Sequence, residues 1–316
     1  MNKHRSSLII GSRGSRLALW QANWVKACLR ELRPELDVQI EIIKTTGDVM
    51  KNAPLSLIGG KGVFTKELEE ELLAGRINLA VHSLKDLPTK LPDDLLLAAI
   101  CEREDARDAL LLAPQIQSSA NPSVLNLPQG AVVGTSSLRR LAQLKHRRPD
   151  LSVKELRGNV DTRLRKLEDG NYEAIVLAAA GLNRLGLSHR ISAFLNTSEM
   201  LPAVGQGALG LETRIDDELT RDAVSPLNHP ATHAACTAER ALLGAFGLGC
   251  QVPLAAHAVV VRDSELRLDG LIAGLSGDRI VEAHAEGHAA DAAQLGASLA
   301  EALRKQGGEA LLLQGL

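Results

Sequence analysis

Aromatic side chains are almost missing from this chain: its 316 residues include two Trp, one Tyr and three Phe. Proteins that grip single-stranded nucleic acid by stacking need such rings at intervals, and those that bind duplexes need an excess of positive charge. Lys and Arg number 36 against 38 Asp and Glu, a formal net charge of −2, so neither route suits the chain as a whole. Long hydrophobic runs are missing too; the longest, residues 174–182, is far too short for a bilayer. The first ten residues hold Lys3 and Arg5 but only a short apolar stretch before Gly11, which is not the pattern of a secretory signal. A cytoplasmic protein with no membrane or nucleic-acid partner is expected. Cysteine is scarce, and Cys28, Cys101, Cys236 and Cys250 contain no C-x-x-C pair, the spacing that zinc and redox motifs use. Reduced thiols and no metal follow.

What the chain does hold is a soluble globular composition, 45% hydrophobic and 23% charged, in a length that favours two or three domains over one. Its first part alternates strand and helix periodicity, the pattern of an α/β domain with a largely parallel sheet. Residues 8–10, 38–42, 77–81 and 95–100 read as strands; Leu17, Trp20, Trp24, Cys28 and Leu32 mark one helix face, and Phe64, Leu68 and Leu72 another. After a proline-containing linker, residues 115–129, the pattern restarts. Strands at 131–133, 151–156 and 172–178 alternate with a helix over 138–144 and one bearing Val160, Leu164 and Leu167. Beyond Asn228 come a helix at 230–245, a three-stranded antiparallel meander over 252–284 and a closing helix with Leu295, Leu299 and Leu303 on one face. The expected fold class is α/β: two similar lobes with mixed, largely parallel sheets, plus a third, α+β domain with a three-stranded antiparallel sheet.

The two lobes share a signature where a strand passes into a helix, Gly11-Ser12-Arg13-Gly14-Ser15 in one and Gly134-Thr135-Ser136-Ser137-Leu138-Arg139-Arg140 in the other. Glycine, hydroxyls and arginine at such a junction gather backbone N–H, O–H and guanidinium donors on one anion. N-capping by Ser15 or Ser136 is the simpler account of either copy alone. From Arg139 to Lys166, ten Lys or Arg face three acids. His146, Arg147 and Arg148 read as a solvated basic face. Arg157-Gly158-Asn159 reads differently: Arg157 ends a strand, Gly158 lets the backbone turn and Asn159 caps the next helix, which places Arg157 on the sheet edge of Arg139 and Arg140. Arg163 lies one helical turn on, and Arg184 follows the next strand. Arginines at successive strand ends imply a ligand with several carboxylates or phosphates.

His82-Ser83-Leu84-Lys85-Asp86-Leu87-Pro88 occupies the corresponding edge of the first lobe. Asp86 is the odd element, because a carboxylate repels an anionic ligand. It is either a turn carboxylate ahead of Pro88 or a base or counter-charge to a cation formed during reaction. The aperiodic segment 48–60 is expected to be a lid, with Lys61 and Phe64 as its inner contacts. Cys250 sits on a glycine-rich turn, Gly247-Leu248-Gly249-Cys250, whereas Cys28 and Cys101 suit apolar packing and Cys236 a helix. An ordinary thiol on a loop suits one slow covalent attachment better than fast turnover. These residues alone leave open an enzyme, a module that closes two lobes on an organic anion, and a basic RNA-binding patch, which the few aromatics serve poorly.

Seven motifs in order carry a resemblance over essentially the whole chain. They are Gly11-Ser12-Arg13-Gly14-Ser15, Gly60-Lys61-Gly62-Val63-Phe64, His82-Ser83-Leu84-Lys85-Asp86-Leu87-Pro88, Gly134-Thr135-Ser136-Ser137-Leu138-Arg139-Arg140, Arg157-Gly158-Asn159-Val160, Pro202-Ala203-Val204-Gly205-Gln206-Gly207 and Gly249-Cys250-Gln251-Val252-Pro253. With them the chain resembles the porphobilinogen deaminases, also called hydroxymethylbilane synthases. The resemblance implies two lobes like those of periplasmic binding proteins: residues 1–105 with 208–226 as the substrate and catalytic lobe, and 106–207 as the anion-binding lobe. Residues 227–316 would form a smaller domain bearing the cysteine. It implies a monomeric transferase of tetrapyrrole (haem) biosynthesis that joins four porphobilinogen molecules head to tail, releases ammonia from each, and frees hydroxymethylbilane by hydrolysis. A dipyrromethane cofactor, held by a thioether to Cys250, would be the primer. Asp86 would then be the catalytic carboxylate. Arg13, Ser83, Arg157, Arg163 and Arg184 correspond to substrate or growing-chain contacts, and Ser15, Lys85, Thr135, Ser137, Arg139 and Arg140 to positions that hold cofactor carboxylates. Each pyrrole carries an acetate and a propionate, which is why so many arginines are needed. The chain departs from the family at Gly247-Leu248-Gly249, where Glu-Gly-Gly is common.

Overall fold

The computed structural model describes residues 7–49, 62, 64–116, 122–247 and 252–313. Lys61, Cys250 and the expected lid beyond Val49 lie outside the described residues. The strands are β1 (Ser7–Ser12), β2 (Asp37–Ile42), β3 (Leu79–Ser83), β4 (Leu95–Ile100), β5 (Asp108–Leu112), β6 (Val132–Gly134), β7 (Ser152–Lys154), β8 (Ala174–Ala178), β9 (Ala193–Leu195), β10 (Leu209–Arg214), β11 (Leu254–Arg262), β12 (Glu265–Ala273) and β13 (Ile280–His288). The helices are α1 (Arg16–Leu32), α2 (Thr46–Val49), α3 (Lys66–Leu73), α4 (Leu138–Arg147), α5 (Val160–Glu168), α6 (Ala179–Arg184), α7 (Glu218–Val224), α8 (Pro230–Ala245), α9 (Ala292–Lys305) and α10 (Gly308–Leu313). Among the described residues no helix is long and apolar enough to cross a membrane.

The strand orders are β2-β1-β3-β10-β4, β7-β6-β8-β5-β9 and β11-β12-β13. In each five-stranded sheet four strands run one way, and the odd one, β10 or β5, is antiparallel to both of its neighbours. By packing, the chain divides into one unit of Met1–Arg103 with Ala208–His233 and another of Glu104–Gly207 with Ala234–Leu316. The antiparallel strand is therefore the first one that each sheet receives after the chain crosses between units.

The repeated signature occupies the same place in both sheets. Gly11 pairs with Ala80 of β3, and Gly134 with Ile175 of β8. Glycine leaves room there for close neighbours: a Cβ on Gly11 would lie 2.3 Å from Ile77 Cδ1, and one on Gly134 2.8 Å from the Tyr172 ring, so either would force the neighbouring side chain to shift. In the first unit Leu8, Ile10, Val38, Leu79 and Leu211 of the sheet meet Ala22, Val25 and Leu29 of α1, and burying each large aliphatic side chain contributes about 1.5–3 kcal/mol. The expected α1 face was wrong. Trp20 is 37% and Leu32 46% exposed, whereas Gln21, Ala22, Val25 and Leu29 are buried. Small and branched residues let the helix lie close on the sheet; the Trp20 indole is turned away, while Trp24, partly buried, packs against this core.

Within the second unit the three-stranded sheet shares cores with residues of the Glu104–Gly207 segment. Leu295, Leu299 and Leu303 of α9 pack against the sheet as expected, together with Val204, while Ala142 and Leu201 meet Ala255, Leu271 and Ala273. The fully buried Glu239 of α8 joins these parts, accepting from Ala258 N at 2.8 Å and Gly205 N at 2.7 Å. Both carboxylate oxygens are thereby satisfied, as a buried acid requires.

Candidate active site

The apolar pair Leu84 and Leu87 explains how Asp86 is presented. Past β3 the chain makes a 3₁₀ turn, Leu84–Asp86, in which Leu84 and Leu87 are each 1% exposed while Asp86 points outward. Leu84 N donates to Ala208 O at 3.0 Å, and Leu87 N to Leu84 O at 3.2 Å. Two buried leucines three residues apart thus clamp a turn whose polar residues, the half-buried Lys85 and exposed Asp86, are left at the surface.

Asp86 borders a pocket of about 80 Å³ that also brings together Arg13, Ser15, Phe64 and Ser83. Ser15 caps α1, accepting from Ala18 N at 3.2 Å, so a helix N-terminus faces the same space. The Arg13 guanidinium lies 4.2 Å from the centroid of the Phe64 ring, a cation–π contact that joins two separately expected residues. The motifs did not single out Gln21 or the role of His82, although both line the pocket. Buried Gln21 donates to Ser83 Oγ at 2.8 Å and fixes that hydroxyl. His82 Nε2 is 2.9 Å from Glu212 Oε2 of β10, both side chains being buried.

In the second unit Ser137, not Ser136, caps the helix, accepting from Arg140 N at 3.4 Å; Ser136 Oγ instead donates to Leu156 O at 2.6 Å. Thr135 Oγ1 accepts from Ser137 N at 3.2 Å. Arg139 and Arg140, 3% and 6% exposed, both bond the fully buried Asp108. Burial pushes the Asp108 carboxyl up, but the two guanidiniums outweigh it and hold the group far below the usual carboxylate range. Two cations on one anion leave the cluster with a surplus positive charge. Arg139 Nε is buried with no hydrogen-bond partner among the described residues.

Gly158 has φ +111°, and Asn159 caps α5 by accepting from Thr162 N at 2.9 Å, as expected. Arg157 pairs with Glu155 at 2.6 Å, and Arg163 Nε donates to Gly158 O at 2.8 Å, so both arginines share one turn. Arg184 follows β8 as expected, but at the far end of a short helix and not at the strand end itself. It lies in the last turn of α6, is buried, and donates to Gly207 O at 2.7 Å. His146 and Arg147 are exposed, as a solvated basic face requires, whereas Arg148 is half-buried and departs from that expectation. His146 Nδ1 is 2.8 Å from Gly277 O, while Arg148 donates to the carbonyls of Val124, Leu125, Leu127 and Pro128 and pins that loop.

Cys101 and Cys236 are buried and Cys28 is half-buried; burial raises the Cys28 thiol. Among the described residues no cluster of His, Cys, Asp and Glu is placed to hold a metal ion.

Two family models match: porphobilinogen deaminase, dipyromethane cofactor binding domain, over residues 8–222, and porphobilinogen deaminase, C-terminal domain, over 233–305. The porphobilinogen deaminase of Pelobacter propionicus is 50% identical over 305 residues, and that of Chromobacterium violaceum 52% over 305 residues, each alignment spanning 96% of both chains. A solved structure of the aliphatic sulphonate binding protein SsuA from Escherichia coli is 18% identical with a TM-score of 0.39, over 76% of this chain and 70% of its own. That likeness is too slight to bear on fold or function. The two family models together span both five-stranded sheets, the Asp86 pocket and the arginine cluster, and the chain belongs to the porphobilinogen deaminase family.

Proposed function

We propose that the pocket beside Asp86 is where porphobilinogen loses its ammonia, and that Arg139, Arg140, Thr135 and Ser137 hold carboxylates of the cofactor. The chain is a transferase, a hydroxymethylbilane synthase of tetrapyrrole biosynthesis, which joins four porphobilinogen molecules and releases ammonia from each. Its cofactor is dipyrromethane, which when bound supplies the primer for the growing chain. The residues present fit such a group: each pyrrole brings carboxylates, and the buried Arg139–Arg140 pair carries surplus positive charge and an unsatisfied Nε–H.

The observation that carries this reading is the clamped turn, which delivers one carboxylate to a pocket otherwise furnished for anions. Arg13 and the N-terminus of α1 attract the acetate and propionate of porphobilinogen. Asp86 repels those groups but attracts the cation left on the ring as the amine departs. Its place in the pocket therefore makes sense for reaction and not for binding alone. Gln21, by holding the Ser83 hydroxyl, keeps a donor and acceptor fixed beside the ring. Ser15 and Lys85 would serve cofactor carboxylates, and Arg157, Arg163 and Arg184 the substrate and growing chain.

The arginines provide the test. A charge-assisted bond from Arg to carboxylate is worth about 1.5–3 kcal/mol, so losing one should weaken its step roughly ten- to a hundredfold. Arg139→Leu or Arg140→Leu should impair cofactor loading, read from the intact mass of the protein. Arg184→Leu should load normally and be impaired in substrate entry or elongation. Equal adduct content and wild-type turnover in all three would remove the arginines from the site.

A further inference from the structure

We infer that Asp108 is a positioning residue for Arg139 and Arg140: its buried carboxylate fixes both guanidiniums and limits the charge that the pair presents. This rests on the reading above, in which those arginines hold cofactor carboxylates, and adds the group that sets their geometry. Asp108 is the first residue of β5 and is 0% exposed. Arg139 Nη1 lies 2.7 Å from its Oδ2, and Arg140 reaches its Oδ1 through Nη2 at 2.7 Å and Nε at 3.1 Å. A backbone carbonyl completes each clamp: Arg139 Nη1 donates to Leu201 O at 2.7 Å, and Arg140 Nη1 to Val176 O at 3.0 Å. Gln206 Nε2 holds the carboxylate in turn, reaching Oδ1 at 2.9 Å and Ala106 O at 2.7 Å.

Two guanidiniums this close repel each other unless an anion lies between them, and in a buried site that repulsion is poorly screened. With Asp108 in place an entering carboxylate meets a fixed pair of net charge +1; without it, two cations are free to turn apart. Preorganisation is the difference. An entering group bound by donors already in position loses less to reorganisation, and misplacement by about an ångström costs up to roughly a hundredfold in rate.

The experiment uses full-length apoprotein from a host that makes no porphobilinogen, with porphobilinogen as the probe and intact mass followed over time. Asp108→Asn should load cofactor roughly ten- to a hundredfold more slowly per folded molecule. Asp108→Glu, which keeps the charge but displaces it by one methylene, should fall between that variant and wild type. Once loaded, the Asn variant should show a lower kcat with KM within about twofold of wild type, because the Asp86 pocket is unaltered. A carboxylate that only supported the fold would lower the melting temperature and folded fraction yet leave loading per folded molecule unchanged, and that result overturns the inference. If the Asn variant does not fold, the Glu variant decides by the same criterion. Arg139→Leu and Arg140→Leu separate the two levels. Wild-type loading in both defeats the arginine assignment itself, whereas slow loading in both beside wild-type loading in the Asp108 variants defeats only the role of Asp108.

Discussion

Asp86→Asn should give a folded protein that takes up its cofactor and turns over at least roughly a hundredfold more slowly, a loss of about 2.7 kcal/mol in transition-state stabilisation. The substitution keeps the shape and one hydrogen-bond acceptor while removing the charge. Folding should be spared because the turn is held by Leu84 and Leu87, both buried, and by the bond from Leu84 N to Ala208 O, none of which involves the exposed carboxylate. Binding should be spared because Arg13 and the capped end of α1 remain. What is lost is a negative charge facing the cation that develops as ammonia leaves, and such a charge acts on the transition state far more than on bound substrate. Asp86→Glu should retain part of the activity, since the charge survives at a displaced position. In single-turnover measurements on variant protein whose cofactor has been confirmed by mass, release of ammonia at the wild-type rate would take Asp86 out of the mechanism.

Cys250→Ser should carry no adduct, and its activity should fall to background. The other thiols are poor candidates on packing grounds: Cys101 and Cys236 are buried, and Cys28 is half-buried with its thiol raised by burial. A serine hydroxyl is a far weaker nucleophile than a thiol at neutral pH, so the exchange removes attachment with little change in size. Peptide mapping of the wild-type protein completes the test. An adduct on Cys28, Cys101 or Cys236, or one that survives in Cys250→Ser, would overturn the assignment.

How much of this was legible in the sequence depended on distance along the chain. The strand-to-helix junctions were, because Gly11, Ser15, Gly134 and Asn159 perform local tasks of close approach and capping. The clamped turn was visible in outline in Leu84-Lys85-Asp86-Leu87. The buried polar groups behind these sites were not. Asp108 and Glu212 are tolerated because Arg139 and His82 answer them, and those partners lie 31 and 130 residues away. Some signals were there: Asp108 heads the apolar run Ala109 to Leu112, and Glu239 interrupts the helical stripe of Ala235, Cys236, Leu242 and Leu243. A charge in such a place is either an error of phase or a residue with a partner, and pattern alone does not say which. Arg184 was correctly placed after the strand ending at Ala178, but the short helix α6 that carries it beyond the strand end was not seen, because the apolar run continues through Leu182 without a polar break.

The lobe that begins the sequence is the later one to be completed. β10 lies between β3 and β4, so the first sheet has a gap in its interior until residues 209–214 have left the ribosome, by which time every strand of the second sheet has been made. Pairing β10 with β3 closes a loop of more than a hundred residues, an entropic cost that slows folding. The second sheet reduces that cost when it forms first, because Gln206 then lies against Ala106 and Asp108 and the long excursion becomes a short connection between β4 and β10. In pulse-labelled refolding, amide protection on β6 and β8 should therefore precede protection on β3 and β4, and the opposite order would exclude this sequence of events. The inserted lobe is thus the template on which the chain's first lobe is finished.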